Sequence, residues 1–255
     1  MAENANTHSP LGPRDERIEN ERFVLWMGPG AHPSWNVAQR LRLTPETIDS
    51  TLEEVHAVLR DRSRSACTWE VGSSATPSDL AEQLRARGLV DDRDPYAVGM
   101  VLTEPPPAPA EGIEAREARD FGEFRAAQRV AEEAFGGDVG MDDEQLRARY
   151  DEQVASGGWK TFVALLNDEI VASASSTYVE GAVTLNGGAV LPQARGRGAY
   201  RALVAARWAD AVERGTPALV TQAGAMSRPI LERLGFRGVA EITILLDEFG
   251  PALPN

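Results

Sequence analysis

The apolar positions of this 255-residue chain fall into short runs with two different periods. RFVLWM (22–27) has the composition of a strand, and GPGAHP breaks it. Ile48, Leu52, Val55 and Leu59 recur at helical spacing and predict a helix over 45–61, with Thr44 as N-cap and Pro45 at the first position. ACTWEV (66–71) reads as a strand, residues 77–86 as a helix stopped at Gly88, and YAVGMVL (96–102) as another strand. Residues 1–18 are polar, lack periodicity and are expected to be a disordered tail.

Pro105, Pro106, Pro107 and Pro109 then cluster in EPPPAPAEG (104–112). Such a segment continues neither a helix nor a central strand, so it reads as a semi-rigid linker between domains at 19–103 and 113–250. The second domain opens with helical patterns over 119–135 and 142–155, followed by strands at 160–166, 169–178 and 183–191. Tyr200, Leu203, Val204, Trp208, Ala211 and Val212 form a stripe on a helix over 197–214. A strand (218–222), a short helix (227–234) ended by Gly235, and a strand (239–246) complete the order ααβββαβαβ. Gly187 and Gly188 inside the third strand predict a bulge or a close backbone approach. The fold class is therefore α/β of the α+β kind, with a mixed, mostly antiparallel sheet flanked by helices.

EQLRARGL (82–89) and PILERLGF (229–236) share a leucine, three residues, a glycine and a large apolar residue. Both halves also share the order strand–helix–strand–helix–strand, which reads as a weak internal repeat.

Charge narrows the partners. The net charge of −13 argues against non-specific binding to nucleic acid or anionic membranes. The N-terminus has no apolar segment of a signal peptide, and no run approaches the ~20 residues of a membrane span, so the expected location is the cytoplasm. Cys67 is the only cysteine, which excludes a disulfide, and its apolar run suits a buried small side chain better than a nucleophile. The three histidines show no metal-ligand spacing.

Against this acidic background, LPQARGRGAYRA (191–202) stands out. From Arg195 to Arg237, eight arginines face three acids. The loop joins a strand end to a helix start, where backbone N–H groups are unpaired and the helix dipole is positive. Gly196 and Gly198 let successive N–H groups turn toward one anion, and Arg195, Arg197 and Arg201 add charge. A polyanionic small molecule bound through phosphates is the ligand this composition suits. No Gly-Lys-Ser/Thr follows, which excludes a Walker A loop, and Arg201 stands where a dinucleotide fingerprint needs its third glycine.

VLPQARGRGAYRAL (190–203) resembles the coenzyme A signature of GNAT-superfamily acyltransferases, with its Gln/Arg-x-x-Gly-x-Gly/Ala core at Gln193, Gly196 and Gly198. ILERLGF (230–236) is similar to the family's second signature, and the element order over 113–246 is also the family's. The resemblance implies acetyl-CoA as co-substrate. The N–H groups of Arg195, Gly196, Arg197, Gly198, Ala199, Tyr200 and Arg201 would take its pyrophosphate. The strand edge at Ala189, Val190 and Leu191 would take its pantetheine arm, with the N–H near Val190 polarising the acyl carbonyl. It implies an N-acetyltransferase acting on a primary amine of a small molecule, and by analogy a homodimer. The N-terminal domain would be a degenerate copy lacking the phosphate loop.

One departure stands out. The family's tyrosine acid in the last helix is replaced by Leu231. A thiol of pKa about 8.5 leaves tolerably well unaided. Tyr178 is the candidate acid and Glu133, beside Glu132, the candidate base, although core packing accounts for Tyr178, and a solvated helix face for each glutamate, more readily than catalysis does. Asp138, Asp142, Asp143 and Glu144 could form an acidic lid that attracts an amine, or merely favour a helix start. The alternative functions are a non-catalytic acyl-CoA-binding sensor or scaffold, and an acyltransferase using a different acyl donor or acceptor. RNA binding through RGRG lacks an aromatic platform and has the wrong overall charge.

Overall fold

A computed structural model describes residues 1–136 and 141–250. The chain packs as two compact units, one of Met1–Met100 with Gln222–Ile230 and 238–250, the other of Val101–Thr221 with Leu231–Arg237.

The first unit contains strands β1 (Glu16–Glu19), β2 (Val24–Met27) and β3 (Asn36–Gln39), helix α1 (Ile48–Arg60), strand β4 (Ala66–Gly72), helix α2 (Leu80–Arg85) and strand β5 (Val90–Leu102). The second unit contains β6 (Ile113–Glu117), α3 (Phe121–Phe135), α4 (Asp143–Ser156), β7 (Trp159–Leu166), β8 (Glu169–Val179), β9 (Ala182–Val190), α5 (Ala199–Glu213) and β10 (Leu219–Ala223). The short helix α6 (Arg228–Arg233) and strand β11 (Arg237–Glu248) end the order. β1, β3 and β6 are strands that the apolar pattern does not predict. α1 begins three residues after Pro45, because Thr44 and Thr47 first close a hydrogen-bonded turn.

Within the first unit the strand order is β1-β2-β3-β4-β11-β5. β3 and β4 run parallel, Val37 opposite Thr68. β11 is antiparallel to β4 from Ile242↔Gly72 to Glu248↔Ala66. The last strand, expected in the domain after the linker, thus packs into the first unit, where Leu245 lies opposite Trp69 and both are fully buried. α1 lays Ile48, Leu52, Val55 and Leu59 on this core, as their spacing predicts.

The N-terminal tail is ordered, contrary to the expectation from its composition. Ala2 and Thr7 are buried. Glu3 accepts hydrogen bonds from the Ser74 N–H (3.1 Å) and hydroxyl (2.6 Å), and its carbonyl accepts from Gln222 (3.1 Å). The Asn4 side chain accepts from the Arg40 N–H at 3.0 Å, and the Asn6 N–H donates to Gln39 at 3.1 Å. Gly72 and Gly99 make room for it, since a Cβ there would lie 2.0 Å from the Glu3 carboxylate and 2.7 Å from the Ala2 carbonyl. Side-chain hydrogen bonds, rather than an apolar stripe, hold this segment.

The second unit orders its strands β10-β9-β8-β7-β6, antiparallel except for the parallel pair β9–β10. Phe162, Ala164, Ala172 and Ala174 of β7 and β8 pack with Ala199 and Leu203 of α5. On the other face, the Ser173 hydroxyl donates to the Ala127 carbonyl of α3 at 2.8 Å.

The internal repeat is visible in local geometry. Gly88 and Gly235 both take a left-handed φ, +101° and +95°. The Leu89 and Phe236 N–H groups fold back to the carbonyls of Leu84 and Leu231, at 3.3 and 3.1 Å. Both leucines are buried, so each motif is a helix stop anchored by a core leucine.

Candidate functional site

The site is assembled on one strand–loop–helix segment, β9 to α5. The β8–β9 ladder shifts register between Ser173 and Ser175, which face Ala189 and Asn186. The extra residue lies at the two glycines, and Gly187 has φ +55°. This is the predicted bulge. β9 and β10 pair only at Val183↔Leu219 and Thr184↔Val220, so the second half of β9 continues without that partner.

Beyond the bulge, the Leu191 N–H bonds to the Val171 carbonyl at 2.9 Å and Val190 faces Ala172. In an antiparallel ladder successive residues alternate, so the Val190 N–H and C=O point away from β8, along the open edge. The Val190 carbonyl accepts from Arg195 Nε at 3.3 Å. Ala189 is buried and Leu191 half-buried.

A tight turn at Pro192–Ala194 then leads into the loop. Gly196 (φ +74°) and Gly198 (φ +92°) are left-handed, and Gly198 is the N-cap of α5. A Cβ on Gly198 would lie 2.8 Å from that of Ala110. The first helical hydrogen bond of α5 is donated by Ala202 to Gly198, which leaves the N–H groups of Ala199, Tyr200 and Arg201 outside the helical ladder. Arg195 and Arg197 are exposed. An Arg201 guanidinium nitrogen is 3.7 Å from the Gly198 Cβ position, so this cation folds over the loop. Unladdered N–H groups, a helix N-terminus and three arginines fit a diphosphate.

The candidate acid and base lie apart from this loop. The Tyr178 hydroxyl donates to Asp210 at 2.7 Å, Lys160 reaches Asp210 at 3.0 Å, and the Arg214 guanidinium stacks 3.6 Å over the Tyr178 ring. Burial first, and then Asp210, push the phenol far above its ordinary pKa. Its proton is committed to a carboxylate three turns along α5 from the loop, which makes Tyr178 a poor acid. Glu133 is exposed on the last turn of α3, and Glu132 is half-buried there. Asp138 lies outside the described residues. Asp142 caps α4 in a capping box with Gln145, and Asp143 pairs with Arg125 of α3 at 2.8 Å, so the first serves the helix start and the second ties α4 to α3. Leu231 is core. Cys67 is fully buried among the apolar residues of the first unit, which pushes its thiol well up.

Arg207 went unread in the sequence. It is 1 % exposed in the middle of α5, where only apolar residues enter the stripe. Tyr200, expected in the loop and at the start of the helical stripe, packs its ring on Gly188: a Cβ there would be 2.5 Å from Cε2.

No family model matches the sequence. No curated protein matches it either. Among solved structures, a GCN5-related N-acetyltransferase from Kribbella flavida superposes with a TM-score of 0.71 at 19% identity, over 92% of this chain and 90% of that one. The chain has the GNAT fold. A second GCN5-related N-acetyltransferase, from Sphaerobacter thermophilus, has TM-score 0.68 and 19% identity over 93% and 84% of the two chains. A tandem GNAT protein from the clavulanic acid biosynthesis pathway has TM-score 0.63 and 17% identity over 95% and 86%. In this chain one helix stop recurs, at Gly88 and at Gly235. Among the described residues no helix is long and apolar enough to cross a membrane.

Proposed function

We propose that this protein transfers an acetyl group from acetyl-CoA to a primary amine of a small molecule, by direct attack within a ternary complex. The observation that carries the reading is the continuity of β9 and α5. One segment supplies an open strand edge with the Val190 N–H, a left-handed glycine loop, and a helix N-terminus ringed by Arg195, Arg197 and Arg201. Ala189–Leu191 would hold the pantetheine arm as an added strand would be held. The N–H groups from Gly196 to Arg201 would hold the pyrophosphate, and the Val190 N–H would polarise the acyl carbonyl. The coenzyme supplies the activated acyl group. The protein orients it and leaves an amine nitrogen to attack.

A non-catalytic acyl-CoA sensor is the second reading, favoured by the buried Leu231 and the committed proton of Tyr178. The test is calorimetric titration with acetyl-CoA, repeated on Gly198→Val, followed by thiol-release assays with a panel of small primary amines. A β-branched residue at φ +92° against Ala110 cannot keep the loop. Micromolar binding lost in the variant supports the cradle, and thiol release that depends on an amine supports transfer. Binding without release supports the sensor. No binding to the intact protein sinks both readings.

A further inference from the structure

The transfer reading leaves one step without a residue, protonation of the departing sulfur. We propose that Tyr200 is the proton donor and that Arg207 is the residue that positions it. This rests on the acyl-transfer reading above.

Tyr200 stands on the first turn of α5, directly after the glycine loop. Its ring lies against the bulge of β9, with Cε2 2.5 Å and Cζ, the carbon bearing the hydroxyl, 3.5 Å from the Cβ position of Gly188. Any side chain at 188 would displace it. Gly187 and Gly188 are exposed, and the open edge with Val190 begins here. A donor at this place serves a thioester lying along that edge.

Arg207 is seven residues further on, two turns along the same face of the helix. Its Nε donates to the Leu203 carbonyl at 3.1 Å, and Nη1 donates to the Ser175 carbonyl at 3.3 Å, beside the register shift of the β8–β9 ladder. Nη2 is buried with no hydrogen-bond partner among the described residues. The guanidinium makes no ion pair among the described residues. Burial pushes its pKa down, and the Tyr200 phenol is the neighbour that pushes it back up. A buried cation without an anion is destabilising, and an apolar residue of similar volume would fold as well or better. A phenolate formed on Tyr200 during turnover is the anion this cation suits.

The protons balance. The acceptor nitrogen bonds to the acyl carbon as the carbon–sulfur bond breaks. Tyr200 passes its phenolic proton to the departing sulfur. The phenolate, held beside Arg207, then recovers through solvent the proton released by the nitrogen. Nothing is oxidised or reduced.

The experiment compares wild type with Tyr200→Phe, Arg207→Met and Arg207→Lys. Acetyl-CoA affinity, melting temperature and amine-dependent thiol release from acetyl-CoA are measured for each. Tyr200→Phe should keep its affinity and lose about 100-fold in kcat, the scale of a general acid. Arg207→Met should melt no lower than wild type yet lose kcat, and Arg207→Lys should regain part of it. Wild-type kcat in Tyr200→Phe overturns the inference and leaves acyl transfer standing. A lowered melting temperature with unchanged kcat in Arg207→Met makes Arg207 structural and overturns its positioning role. A wild type that binds acetyl-CoA but releases no thiol with any amine overturns the transfer reading and the inference together.

Discussion

The hydroxyl of Tyr178 donates to the carboxylate of Asp210 at 2.7 Å, and the same carboxylate receives Lys160 at 3.0 Å. Lys160, the only lysine of the chain, also pairs with Glu117 at 2.5 Å. The group ties β6, β7, β8 and α5 together. Tyr178→Phe should therefore cost stability and leave turnover alone. Loss of a hydrogen bond to a charged group predicts about 1.5–3 kcal/mol, read by denaturant unfolding. A large fall in kcat with unchanged stability would return Tyr178 to the list of acids.

Direct attack needs no acyl-enzyme. Cys67 is fully buried in the first unit's core, and burial holds its thiol protonated. Cys67→Ala should turn over at the wild-type rate and lose about 1 kcal/mol through the small cavity. A thiol reagent should label Cys67 only after unfolding. Rapid labelling of the folded protein, or loss of turnover in the variant, would bring a covalent route back.

Deletion of residues 1–7 should lower the melting temperature although this segment reads as a tail. Its removal bares Gln39, Arg40, Ser74 and Gln222, each of which it now satisfies. Hydrogen bonds worth about 1 kcal/mol each, partly offset by the entropy of ordering, leave a net loss of about 2 kcal/mol. For a chain of this size that corresponds to about 4–8 °C in Tm. Glu3→Ala should show a smaller shift in the same direction. An unchanged Tm in the deletion would mean the segment contributes nothing to folding.

These cases show where sequence reasoning reaches. A glycine is legible when only it can serve, so the bulge at Gly187–Gly188 and the left-handed Gly196 and Gly198 could be read directly. Leu84 and Leu231 were legible because a helix stop has a fixed spacing. ERIE, NVAQ and IEARE were not read as strands. β1 and β6 end their strand orders and carry charge where edge strands tolerate it. Their pairing, Arg17↔Trp26 and Ala115↔Ala164, is a long-range fact without a local signature. Arg207 was missed because counting apolar residues on a helix face overlooks a buried cation. The last strand was misplaced because a proline linker marks a break in backbone regularity and not a boundary of packing.

The start of α3 gives a prediction for acid. Glu123 accepts from Arg116 through both guanidinium Nη atoms, from the Arg119 N–H at 2.8 Å and from Arg119 Nε at 3.2 Å. The Arg116 hydrogen bond, above all, holds its carboxyl down at about 2, against 4.5 for a free glutamate. A carboxylate with a depressed folded pKa stabilises the fold above its unfolded pKa and stops doing so once protonated. The contribution should thus be complete above about 4.5 and fade as pH falls towards about 2. Glu123→Gln should lower Tm at neutral pH and flatten the part of the Tm–pH curve between those limits. The effect should shrink in high salt, because the pair sits near the surface. Parallel curves for wild type and variant across that window would show that the ion pair contributes nothing to acid stability.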